Sequence, residues 1–170
     1  MRSKVEFKVL IGIALVLAMV FAMTACGSGE PVAYDAPSGA PYEGLCVIDK
    51  MNSSSSYQQK KGVNCFSTTM KWRTENENIE SAEYSDEFFL EWASEEIGPF
   101  ELCEPVNDMS ALKNNVHTIK PGEDNTIEYD VDAYFDGLPR GYYRFVKVFD
   151  VKYKDGKTEK MVASFGFDMN

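Results

Sequence analysis

The feature that most constrains this fold is an alternation of apolar and polar residues that recurs from Leu45 onward. In "NCFSTTMKW", Phe66, Met70 and Trp72 share one face, because neighbouring residues of a strand point to opposite sides. Seven or eight such strands can be drawn, in "LCVID", "VNCFSTTMKW", "EFFLEWAS", "PFELCEPV", "VHTIKPGEDNTIEYDV" and the two arms that meet at Asp155-Gly156, a two-residue turn signal. The pattern predicts an all-β fold, an antiparallel β-sandwich of about seven strands. "SDEFFLEWASEEIG" also admits a helix, since Phe88 and Trp92 are four residues apart.

The N-terminal residues have the organisation of an export signal. Arg2, Lys4 and Lys8 precede an uncharged apolar run, Val9 to Met23. That run is shorter than the roughly 20 residues that a membrane-spanning helix needs. A basic segment followed by a short apolar one is typical of a signal peptide, which we place at residues 1–25.

A cysteine follows this leader directly. Thr24 and Ala25, both small, precede Cys26, and the stretch resembles the lipobox of bacterial lipoprotein signal peptides, with Met23 where Leu is commonest. The resemblance implies that the thiol of Cys26 carries lipid such as palmitate, and that the chain is held on the extracytoplasmic face of the cell membrane. Acyl chains can do this because each buried CH₂ contributes about 0.8 kcal/mol. An ordinary secretory leader with an unmodified cysteine is the alternative.

The segment after the cysteine shows neither helical nor strand periodicity. Residues 27–44, "GSGEPVAYDAPSGAPYEG", are dominated by Gly, Pro, Ser and Ala, a composition typical of linkers. We therefore predict a lipidated cysteine and flexible tether at 26–44, and a β-sandwich domain at 45–170.

The second half of the domain carries a family resemblance. Its features are Pro121-Gly122-Glu123, then Tyr134, Leu138, Gly141, Tyr143 and Arg144. This passage resembles the bacterial immunoglobulin-like domains of secreted and membrane-tethered proteins, which implies an immunoglobulin-like sandwich. "LPRGYY" also places a turn before a tyrosine that opens a strand. Tyr143 is therefore the predicted tyrosine corner, buried and hydrogen-bonded to upstream backbone.

Three cysteines remain after Cys26. If "LCVID" and "GVNCF" are the arms of one hairpin whose turn lies in "NSSSSYQQ", Cys46 and Cys65 lie opposite each other about its centre, which predicts a Cys46–Cys65 disulfide. Cys65–Cys103 is the alternative. A metal site is not expected, because the chain has no CxxC and one histidine.

The net charge and the absence of recognisable catalytic motifs exclude several classes of function. The formal net charge is −10, so nucleic-acid binding is not expected. His117 has no nucleophile in a recognisable context, and the acidic residues between 75 and 96 are interpreted as a solvated charge run. No catalytic residue and no cofactor are predicted.

Three functions are compatible with these features. The first is a lipid-anchored, extracytoplasmic binding or accessory module, without catalysis, for a protein or glycan partner. The second is a proteinase inhibitor that presents a loop such as "EPVNDMSALKNN". The third, least favoured, is an enzyme that uses paired carboxylates.

Overall fold

The computed structural model describes residues 32–60 and 63–169. Within them the chain forms two β-sheets and a single short 3-10 helix, Ser110–Asn114. The strands are β1 (Cys46–Val47), β2 (Met51–Lys60), β3 (Val63–Trp72), β4 (Ile79–Ser85), β5 (Phe89–Ala93), β6 (Glu101–Leu102), β7 (Val116–Ile119), β8 (Asp124–Asp130), β9 (Gly141–Tyr153) and β10 (Thr158–Met169). The predicted leader, the lipobox and Cys26 lie outside the described residues.

The two sheets form an all-β sandwich, as the alternation predicts. The larger sheet has seven strands in the order β1-β10-β9-β4-β7, with β5 paired to β9 and β6 paired to β5. The smaller sheet has the order β2-β3-β8. All pairs are antiparallel except β1 with β10. The helical interpretation of "SDEFFLEWASEEIG" is wrong, because Phe89–Ala93 is a strand.

Aromatic rings fill the space between the sheets. Phe66 of the smaller sheet stacks on Phe145 of the larger one, with 4.4 Å between ring centroids, and Phe88 lies 4.6 Å from Phe145 on the other side. All three side chains are at most 1% exposed. Such a ring contributes several kcal/mol through burial, since removing one from a core costs about 3–5 kcal/mol.

The hairpin at the C-terminal end forms as its sequence predicts. β9 and β10 pair from Lys152↔Thr158 to Gly141↔Met169. Gly156 lies in the connecting turn with φ 86°, a value that favours glycine.

Residues 32–44 depart from the expectation of a flexible tether. Tyr42 and Ala40 are buried, and they form a hydrophobic cluster with Val146 of β9 and Val162 of β10. The backbone N–H of Tyr34 donates to the Leu45 carbonyl oxygen at 2.9 Å. The folded unit therefore begins at Val32 rather than at Leu45, because apolar side chains on the outer face of the larger sheet give this segment a surface to bury.

The predicted Cys46–Cys65 bridge rests on a hairpin that the structure contradicts. β3 pairs with β2, so Cys65 lies opposite Gln58, whereas Cys46 pairs with Met161 in the other sheet. Cys46, Cys65 and Cys103 are all free thiols. The serine-rich stretch interpreted as a turn is strand β2 itself.

Candidate functional site

A cavity of about 410 Å³ opens between the edges of the two sheets. One wall comes from the end of β4 and from β7, and the opposite wall comes from β8. We call it the His117 cleft; the residues that line it are Tyr84, Asp86, Leu112, His117, Asn125, Thr126, Ile127, Glu128, Tyr129, Asp130, Ala133 and Tyr134. The only histidine of the chain therefore lies in a concave region, and the sequence alone did not place it there.

At the cleft, His117 and Asp86 form a pair. His117 Nε2 lies 2.7 Å from Asp86 Oδ1, and the two side chains are 42% and 26% exposed. The Asp86 backbone N–H donates to the carbonyl oxygens of Leu112 and Asn115 at 3.1 and 3.0 Å, which fixes the position of the carboxylate. The imidazole also contacts the Tyr84 ring, with 5.3 Å between centroids. His117 is thus held by an acid and an aromatic ring, and no serine or cysteine is among the described residues that line the cleft.

Behind the cleft lies a fully buried lysine. Lys147 Nζ donates to the carbonyl oxygens of Ser85 and Glu87, the latter at 2.8 Å, and to the Tyr129 hydroxyl at 2.9 Å. Three donors therefore meet three acceptors. The amine also lies 5.3 and 5.2 Å from the ring centroids of Tyr84 and Tyr129, within reach of a cation–π interaction.

This amine has an unusual acidity. Burial lowers the pKa of Lys147 from 10.5 to about 7, against the opposing fields of the Asp86 and Glu87 carboxylates. Tyr129 comes from the smaller sheet, whereas Ser85 and Lys147 belong to the larger one and Glu87 lies in the connection between its strands β4 and β5. The amine therefore ties the two sheets together at the base of the cleft.

A second buried charge lies on the outer face of the larger sheet. Glu91 of β5 is 0% exposed. Its carboxylate accepts hydrogen bonds from the Tyr42 hydroxyl at 2.8 Å and the Tyr34 hydroxyl at 3.1 Å, and Arg144 Nη1 lies 3.5 Å away. Burial raises the pKa of Glu91, opposed by these hydrogen bonds and by the arginine. The interpretation of the acidic run as solvated is thus wrong at Glu91, because residues 32–44 cover this face.

Tyr143 occupies the position predicted for a tyrosine corner. Its side chain is 1% exposed at the start of β9, and its hydroxyl donates to the Pro139 carbonyl oxygen. Gly141, two residues earlier, has φ 150°, and a Cβ atom there would lie 2.5 Å from Trp92 Nε1. The turn and the corner therefore form one structural unit that closes the fold.

Lys147 and Glu91 were not singled out from the sequence. Lys147 carries a readable signal, because it falls in phase with Phe145 and Phe149 on the core face of β9. Glu91 carries none, since its partners are 49 and 57 residues away.

Two further findings concern the described part of the chain. No group of three or more His, Cys, Asp or Glu side chains there is arranged to hold a metal ion, and none of its helices has the length and hydrophobicity to cross a membrane. No protein-family model matches the sequence, and the search of curated proteins gave no match.

Proposed function

We propose that this chain is a lipid-anchored, extracytoplasmic, immunoglobulin-like module that binds a partner and has no catalytic role. The observation that carries the proposal is that, among the described residues, the two fully buried charged side chains have their hydrogen-bonding positions filled by internal contacts. Lys147 Nζ meets three protein acceptors, and both oxygens of Glu91 accept tyrosine hydroxyls. A catalytic group needs a hydrogen-bonding position that faces the substrate, and these groups hold the fold together instead.

The immunoglobulin-like part of the proposal is supported by topology. Strand β1 pairs in parallel with the last strand, β10, whereas the strands of the smaller sheet come from both halves of the domain. The buried Tyr143, whose hydroxyl reaches back four residues to Pro139, is a further feature of sandwiches of that type.

The anchor is supported by the order of the N-terminal features and by the extent of the folded unit. Residues 27–31 alone separate Cys26 from Val32, the first residue of that unit. A fully extended chain spans about 3.5 Å per residue, so the tether would reach at most about 20 Å. A lipid on Cys26 would therefore hold the start of the domain within about 20 Å of the bilayer.

Metabolic labelling tests the anchor. The full chain is expressed in bacteria that are fed an alkyne analogue of palmitate, and the membrane fraction is probed for label. We expect label on the wild type and on the matched control Cys46→Ser, and none on Cys26→Ser. Label that persists in Cys26→Ser, or an unlabelled wild type in the cytosol, would overturn the proposal.

Partner capture tests binding. Cross-linking of the intact lipoprotein in its native membrane should give one dominant protein or glycan adduct. A purified chain that instead turns over a glycoside or peptide substrate, with loss of activity in His117→Ala, would replace binding by catalysis.

A proteinase inhibitor is the second candidate, favoured by the loop between β6 and β7. Val106 in that loop is 61% exposed, and its backbone N–H donates to the Tyr134 carbonyl oxygen at 2.8 Å. Asn107 Nδ2 donates to the Ala133 carbonyl oxygen at 2.8 Å, so the exposed apolar residue has a fixed backbone. Titration of the chain against a panel of proteases tests whether it is an inhibitor. We expect Val106→Asp to abolish inhibition, and the matched control Val116→Asp, whose side chain is equally exposed, to retain it.

A further inference from the structure

One edge of the sandwich lacks the features that usually protect sheet edges. Natural edge strands are kept from pairing with other chains by shortness, charge, proline or bulges. In the larger sheet, β1 and β6 have two residues each and β7 has four. In the smaller sheet, β8 has seven residues, three of which are acidic.

Strand β2 differs from all of these. It has ten residues, "MNSSSSYQQK", and no charged residue before its last position. Among the described strands it pairs with β3 alone, so the backbone groups on its other side have no ladder partner.

The first half of β2 is also open to solvent. Asn52, Ser53 and Ser54 are all exposed. The register places Ser53 opposite Met70, on the core side of the sheet, where Met70 is 0% exposed. An exposed residue on the core side means that the sandwich does not cover this part of the edge.

We propose that β2 is the site at which a second copy of this chain adds its own β2, antiparallel, across a two-fold axis. The charge distribution favours this occupant. Two copies that each carry a formal charge of −10 repel one another, and a long uncharged strand is where they can meet with the least repulsion.

The strand sequence is compatible with itself in this register. A two-fold axis perpendicular to the sheet at Ser55 pairs Ser55 with its own counterpart, Ser54 with Ser56, Ser53 with Tyr57, and Asn52 with Gln58. Every one of these pairs is uncharged, and hydroxyl and amide side chains can hydrogen-bond across strands. The contact is isologous, so it closes at a dimer, and the two small sheets become one sheet of six strands.

Sedimentation of the full chain in detergent tests the proposal over a roughly hundredfold concentration range. We expect a monomer–dimer equilibrium that Ser54→Lys weakens by at least about tenfold, because a lysine on an edge strand opposes pairing. The control Thr118→Lys adds the same charge at an exposed position of edge strand β7. It should change the dimer dissociation constant less than about twofold.

A wild type that stays monomeric, or a Ser54→Lys variant that dimerises as well as the wild type, would overturn the inference. Capture of a different protein by a monomeric wild type would also overturn it.

Circular dichroism establishes that each variant is folded. If Ser54→Lys does not fold, hydrogen exchange of the wild type decides: the amides of β2 that face away from β3 should exchange more slowly as the concentration rises, and unchanged rates would refute pairing. Self-association does not require the lipid, so this test can fail while the labelling test succeeds, or the reverse.

Discussion

Replacing Lys147 with methionine isolates the effect of one buried amine on stability. At a single pH the result mixes two opposing effects. Methionine removes the cost of burying a charge, but it leaves the acceptors at Ser85, Glu87 and Tyr129 without their donor. The pH dependence separates the two, because the cost of burying the charge disappears as the amine loses its proton, whereas the carbonyl acceptors do not titrate.

The sign follows from the pKa. Burial lowers the pKa of Lys147 from 10.5 in the unfolded chain to about 7 in the fold. Below pH 7 the amine is protonated in both the folded and the unfolded state, so its contribution to the free energy of unfolding does not change with pH. Between pH 7 and 10.5 the unfolded state binds more protons, so the free energy of unfolding rises with pH. Each pKa unit corresponds to about 1.4 kcal/mol, so the wild type should gain about 3 kcal/mol between pH 7 and 9.5.

The assay is urea unfolding followed by tryptophan fluorescence, since Trp72 is fully buried. It stops at pH 9.5, because tyrosines of the unfolded chain lose their protons at about pH 10. In the fold, burial raises the pKa of Tyr34 and Tyr84 to about 12, so at higher pH their titration would lower the free energy of unfolding. The stability difference between the wild type and Lys147→Met should increase by about 3 kcal/mol over this interval. Lys152→Met removes a partly exposed lysine from the same strand and controls for general charge effects.

Curves for the wild type and Lys147→Met that run parallel from pH 7 to 9.5 would refute the reasoning. They would mean that the two carbonyl oxygens and the nearby carboxylates keep the ammonium charged in spite of its burial.

Three further changes give outcomes of defined sign. Glu91→Leu should lower the free energy of unfolding by about 3 kcal/mol, because it leaves two tyrosine hydroxyls and an arginine unpaired. Limited proteolysis should then cut within residues 32–44, and a segment that stays protected would contradict the contact. Tyr143→Phe should lower the free energy of unfolding by about 1–2 kcal/mol. Tyr57→Phe should be neutral or stabilising, because the Tyr57 hydroxyl is buried without a hydrogen-bond partner among the described residues. Equal losses of melting temperature in the two variants would refute this distinction. Gly141→Ala should lower the free energy of unfolding by several kcal/mol, since the added Cβ would lie 2.6 Å from the Ala93 carbonyl oxygen. A variant with wild-type stability in urea would show that the turn can relax.

The sandwich was predictable because its strands each bury one face. Phe66, Met70 and Trp72 of β3 are all buried, as their spacing indicates. The same rule applied to β9 places position 147 in the core, so a lysine there was a detectable sign of a buried charge. The cysteine hairpin failed for a related reason: a run of serines is typical of a turn, but pairing with β3 holds Ser53 to Ser56 in a strand, and tertiary context overrides such a preference.

Glu91 and residues 32–44 could not have been predicted, because each explains the other. In isolation, Glu91 is one acid in an acidic stretch, and the segment is a Gly- and Pro-rich one without periodicity. Only when the segment lies on the outer face of the larger sheet do Tyr34 and Tyr42 reach the carboxylate, and only then is burial of that charge tolerable. The beginning of the domain therefore depends on a contact 49 residues distant in sequence, which no local pattern records.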